Sequence, residues 1–132
     1  MSMENEKKSM VVRLEVEKAY NTLGEAILLA ENQCWGGAAS RLYYAVFHAV
    51  SALLIRDCHL VKSHRGAAIQ FNQHYVKTAK IPPEYGALYS KLEDLREEGD
   101  YNCHYNVSSD ELLSTLPHAK EMIDVIAAMV SE

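Results

Sequence analysis

A chain of 132 residues with 48% hydrophobic and 23% charged residues has the size and make-up of one globular domain, long enough to bury a core unaided. Its net charge of −5 argues against a general DNA-coating protein, which needs an excess of Lys and Arg to meet phosphates. Cys34, Cys58 and Cys103, odd in number and without CxxC spacing, point to a reducing cytoplasm, and no signal-like h-region or membrane-spanning run of about 20 apolar residues stands out.

In chain order the apolar periodicity predicts five helices. Residues 1–9 read as a flexible N-terminal extension. Over residues 10–31, Val12, Val16, Ala19, Tyr20, Leu23, Ala26, Ile27 and Ala30 follow the i, i+3, i+4, i+7 rhythm of an amphipathic helix. The glycine pair in "NQCWGG" ends it. A second helix over 38–57 is apolar on most sides, as a central bundle helix should be. After the polar connection "CHLVKSHRG", a third helix covers 65–78 until "AKIPPEY", whose prolines cannot continue it. A fourth runs from Glu84 to Gly99, and 100–107 reads as irregular. Ser108 and Glu111 have capping-box spacing and open a fifth helix carrying Leu112, Leu116, Ala119, Ile123, Ile126 and Val130. The pattern describes an all-α, antiparallel up-and-down bundle of five helices in a single domain over residues 1–132.

Three polar clusters stand out on this frame. Arg41 and His48 are seven residues apart on the apolar second helix, hence on one stripe, about 20° apart and roughly 10 Å along the axis. Ala45 and Ala52 fill that stripe. The pair could be an acid/base histidine with a phosphate-gripping arginine, or a tight seam against a neighbouring helix. "LREEGDYNCHYN" gathers Arg96, Asp100, Tyr101, His104 and Tyr105 at the end of the fourth helix; the plain alternative is an Arg96–Asp100 pair one turn apart. "VKSHRG" sets Lys62, His64 and Arg65 before a helix N-terminus, either an anion site or a solvated loop. Neither Cys58, His59 and His64 nor Cys103 and His104 match a zinc spacing, so no metal or other cofactor is expected. No phosphate-binding loop, dinucleotide fingerprint, nucleophile elbow or HExxH motif is found in the sequence.

Taken together, R-x-Y-Y-A-x-F-H-A at 41–49, S-H-R-G at 63–66, R-x-x-x-D-Y at 96–101 and the closing "DELLSTLPHAKEMIDVI" resemble the HEPN domain, named for higher eukaryotes and prokaryotes nucleotide-binding, over about residues 12–130. That resemblance implies a helical bundle, usually homodimeric. Many members are toxins of toxin–antitoxin pairs that cleave RNA without a metal. Their partner is often a small nucleotidyltransferase, which in some pairs adds AMP to a tyrosine near the site; Tyr101 and Tyr105 are the candidates here. The family's signature is an Arg followed four to six residues later by His. This chain departs from it, since seven residues separate Arg96 from His104 and Asp100 and Tyr101 stand between.

The expectation is therefore a ribonuclease toxin with its site in a dimer cleft. Arg96 would hold the scissile phosphate, His48 or His104 would move protons, and Arg41 would orient phosphate. Tyr44, His64, Arg65, Asp100 and Tyr101 would bind. The alternative is a non-catalytic HEPN module that binds a nucleotide or docks a nucleotidyltransferase.

Overall fold

The computed structural model describes residues 3–101 and 106–131. Helix α1 spans Met3–Glu31. The expected extension of residues 1–9 is thus, from Met3 onward, the opening turns of α1. These turns are exposed and carry no apolar rhythm, so periodicity alone could not reveal them. Two residues past its end Gln33 reverses the chain, with a φ of 61° in the left-handed region, while Cys34 N–H donates to the Leu29 carbonyl at 2.8 Å. The glycines expected to break the chain are instead part of the first turn of α2, Trp35–Arg56. At Gly37 the α1 side chain of Leu29 packs close, its Cδ1 3.4 Å from where a Cβ would stand, which is an ordinary contact.

Helix α2 lies antiparallel to α1 in one register: Glu25 pairs with Arg41, Glu15 with His48 and Lys8 with Cys58. It ends with Cys58 at φ 62°, in the left-handed position usually given to glycine, and His59 N–H closes on the Leu54 carbonyl at 2.8 Å. By length and apolar composition α2 could cross a membrane. Here it is the central element: Leu42, Tyr43, Val46, Val50, Leu53 and Leu54 are buried, and α2 packs against all four other helices.

Helix α3, His64–Phe71, opens on Ser63, whose Oγ accepts from Gly66 N–H at 2.9 Å. The single third helix expected over 65–78 divides here. From Asn72 to Val76 the backbone widens into a π-helical turn, closed by Lys77 N–H on the Asn72 carbonyl at 2.9 Å. That turn brings the Tyr75 hydroxyl to Asp57 Oδ2 at 2.6 Å and onto the Leu53 carbonyl at 3.3 Å. Helix α4, Pro83–Tyr101, starts with a proline at a position that needs no N–H and runs two residues past Gly99. Helix α5, Ser109–Val130, opens as the sequence predicts, with the Ser108 hydroxyl accepting from Glu111 N–H at 3.4 Å. Among the described residues there is no strand. Helices α1, α2, α4 and α5 form the bundle, and Tyr43, Phe71, Tyr75, Tyr89, Leu92, Leu112 and Ile123 fill its core.

Candidate functional site

The middle of α2 carries "RLYYAVFH", and its side chains leave the helix in three directions. Arg41 turns to α1, where its guanidinium lies 3.6 Å from Glu25 beside a hollow lined by Leu14, Glu17, Lys18, Asn21 and Thr22. His48 also turns to α1; its Nδ1 meets Glu15 Oε2 at 3.0 Å. It faces a different hollow with apolar walls of Phe47, Leu54, Ile55, Leu60 and Val61. Ala45 and Ala52, the floor of the expected stripe, are fully buried. Arg41 and His48 therefore lie along the helix seam and do not share a cavity.

Tyr43 and Tyr44 point the third way, toward the start of α3 and the second half of α4. The Tyr43 hydroxyl is 2.9 Å from His64 Nδ1. Arg96, rising from α4, places its guanidinium carbon 4.9 Å from the centre of the Tyr43 ring and 5.8 Å from that of Tyr44. Tyr44 receives the Arg41 guanidinium at 5.5 Å as well, so its ring links the two arginines. The His64 ring packs on Phe47 at 4.4 Å and on Tyr44 at 5.7 Å. Between α3 and α4 this leaves an open cleft of ≈ 600 Å³, lined by Ser63, His64, Arg65, Glu93, Arg96 and Glu97.

The electrostatics of the cleft follow from burial. The Arg96 side chain is only 10% exposed, and it has Glu97 and Asp100 oxygens at 3.9 Å on either side. The cost of enclosing a guanidinium in this way is offset by the carboxylates and π-faces close by. Burial, reinforced by the nearby Glu93 charge, pushes the Tyr43 hydroxyl up to about 12, so it stays protonated at neutral pH. Glu93 Oε2 is buried with no hydrogen-bond partner among the described residues.

Of the residues singled out from sequence, the structure brings Arg96, His64, Arg65 and Tyr44 to one place, with Asp100 behind Arg96. Arg41 reaches this group only through the Tyr44 ring, and His48 is separated from it by Phe47. Tyr101 is the last residue of α4, while His104 and Tyr105 lie outside the described residues. Sequence reasoning missed Tyr43 and Glu93. A tyrosine inside an apolar helix reads as core, and Glu93 resembles the other carboxylates of "KLEDLREEGD". The one signal for Glu93 was its place three residues before Arg96, on the same helix face. Among the described residues no cluster of three or more His, Cys, Asp or Glu side chains is placed to hold a metal ion.

The chain is similar to several known proteins. The family model for the HEPN domain matches residues 12–129. A Thermotoga maritima protein called "UPF0332 protein" is 30% identical over 125 residues, covering 95% of each chain. A Methanocaldococcus jannaschii protein named "Putative toxin" is 31% identical over 117 residues, covering 89% of this chain and 87% of its own. A second "Putative toxin" of the same organism is 27% identical over 96 residues, 73% of this chain and 65% of its own.

Proposed function

The chain belongs to the HEPN domain family, and from that premise we propose that it is a toxin-like member acting on RNA, without a metal, at the α3–α4 cleft. The observation that carries this reading is the convergence of Arg96 and His64, from two different helices, on one open cleft above Tyr43 and Tyr44. The names of the two Methanocaldococcus relatives support the toxin-like part.

Each residue has a role its surroundings suit. Arg96, with Arg65 at the opposite wall, holds the non-bridging oxygens of the scissile phosphate and stabilises charge that builds there. With Nδ1 of His64 taken up by the Tyr43 hydroxyl, Nε2 is the nitrogen left to serve the cleft. Glu93, whose side chain lines the cleft, takes the proton of the ribose 2′-hydroxyl as that oxygen bonds to phosphorus. The bond from phosphorus to the 5′-oxygen breaks, and His64 delivers its proton to the departing oxygen. The products are a 2′,3′-cyclic phosphate and a free 5′-hydroxyl. All of these groups come from one chain, so this reading does not need a dimer cleft. A nucleotidyltransferase-type antitoxin remains part of it.

The second reading, binding without cleavage, is favoured by the seven residues between Arg96 and His104, a longer spacing than the signature named above. The two arginines would then hold the phosphate of a nucleotide. Incubating the purified chain with single-stranded RNA in EDTA, followed by end-group analysis, separates the two. Cyclic-phosphate ends that vanish in Arg96→Ala support cleavage. Retained RNA or nucleotide binding with no cut by the wild type supports the binding module.

A further inference from the structure

The hollow beside His48 plays no part in the proposed cleavage, yet it has the make-up of a ligand site. It measures ≈ 310 Å³, at the small end of the pockets that hold organic molecules. Its walls are mostly apolar, and two of them are rings: Phe47 from α2 and His59 from the connection after it. His74 stacks on His59 at 3.8 Å between centroids and 6° between planes, which steadies that wall. Leu60 lines the hollow too, yet leaves 74% of its surface in water. A leucine so placed gains from an apolar occupant that covers it.

Three polar groups stand among these walls. Glu15 Oε2 meets His48 Nδ1 at 3.0 Å, and because a carboxylate only accepts, Nδ1 carries a proton. Nε2 is then the ring's remaining polar atom for an occupant. Ser51, three residues further along α2 and so on the same face, adds a hydroxyl. This set selects the occupant's head group. A carboxylate would be repelled by Glu15. An ammonium would lose its hydration among apolar walls with Glu15 already engaged by His48. A hydroxyl suits the imidazole in either state, donating to Nε2 of the neutral ring or accepting from the charged one, with Ser51 as a second partner. The two aromatic walls favour a planar ring as its body.

We infer that this hollow binds a small phenol, its ring against Phe47 and His59 and its hydroxyl on His48 Nε2, at a place where occupancy is felt in the α3–α4 cleft. Phe47 is the wall between them: it lines the hollow and also carries the His64 ring at 4.4 Å, so a ligand that displaces Phe47 moves His64. No arm of the test reads cleavage, so this proposal stands or falls apart from the proposed activity.

Titration of the full chain with para-cresol, followed by the ring resonances of its six histidines, tests it. Saturable shifts are expected at His48, His59 and His64, and none at His118, which lines a different groove between α4 and α5. Toluene, the same ring without the hydroxyl, is expected to bind at least tenfold more weakly. So is para-methylanisole, which keeps the oxygen but cannot donate, at about pH 8, where an ordinary imidazole is neutral. Ser51→Leu fills the hollow and is expected to abolish binding. His48→Phe keeps a ring but removes both nitrogens, and is expected to erase the preference for cresol over toluene. Far-ultraviolet circular dichroism checks that both variants are folded, and the comparison of probes on the wild type decides the matter even if one is not. Absence of saturation up to several millimolar cresol overturns the proposal. So does equal affinity for cresol and toluene in the wild type, or binding that shifts His118 and leaves His48 still.

Discussion

The Tyr43 hydroxyl meets Nδ1 of His64 at 2.9 Å, fastening the middle of the central helix to the first residue of α3. The two residues are 21 positions apart in sequence, and the bond between them fixes how the imidazole enters the cleft. Tyr43→Phe removes that hydroxyl and little else. We expect the fold to survive and RNA cleavage to fall about tenfold or more, because the ring loses the partner that fixes its orientation. Cleavage kinetics beside a thermal melt separate this from general destabilisation.

Arg96→Lys tests the guanidinium as a fork. A lysine keeps the charge but cannot hold two phosphate oxygens at once or lie flat on Tyr43. Cleavage is expected to drop by about 100-fold, comparable to losing one transition-state donor. Arg96→Ala should in addition weaken the fold, since it leaves the neighbouring carboxylates without their cation.

His48 gives the contrasting case. It is bound to Glu15 on α1 and walled off from the cleft by Phe47. His48→Ala is expected to lower unfolding stability by about 1 kcal/mol and leave cleavage and phosphate binding at wild-type values. Urea unfolding with an activity assay on the same preparation checks both halves.

The end of α2 supplies a pH prediction. The Arg56 guanidinium, with the Tyr75 hydroxyl, holds the Asp57 carboxyl below its usual range. A depressed folded-state value means that this stabilisation is complete above the ordinary carboxylate value. It is lost as pH falls through that value toward the depressed one. Tyr75 is shifted upward by burial and by the bond to Asp57, so its side of the contact holds well into alkaline solution. Stability measured from pH 6 down to pH 2 should fall less steeply for Asp57→Asn than for the wild type.

Gly86 tests the packing under the π-helical turn. A Cβ there would stand 2.8 Å from Asn72 Oδ1 and 3.2 Å from Val76 Cγ2. Gly86→Ala is expected to cost about 1–3 kcal/mol, the opposite of the usual gain from replacing a helical glycine. A fall in melting temperature with unchanged helical content would show it.

Most of the helical framework was legible because the buried faces of α1, α2 and α5 repeat apolar residues at helical spacing, and because Ser108 announces the start of α5. What escaped was whatever depends on neighbours. The N-terminal turns of α1 bury almost nothing, so they leave no periodic trace. Arg41 and His48 do share a stripe, as their spacing requires. Spacing could not say that Glu25 and Glu15 of α1 would claim them one by one. Conversely, His64 and Arg96 are 32 residues apart, and only the packing of α3 beside α4 brings them together. The resemblance gave the right fold and pointed to "SHRG" and "RxxxDY", yet the bond from Tyr43 that joins those stretches shows only in three dimensions.

Between Asn72 and Val76 the widened turn fits five residues into the angle that four would sweep in an α-helix. Deleting a single residue there would relax the backbone to ordinary pitch and leave the direction of the chain beyond it nearly unchanged. The loss would be felt locally, at the contact that carries the Tyr75 hydroxyl to Asp57. The segment therefore works as a slack loop wound into the helix, able to shed length at the cost of that one bond.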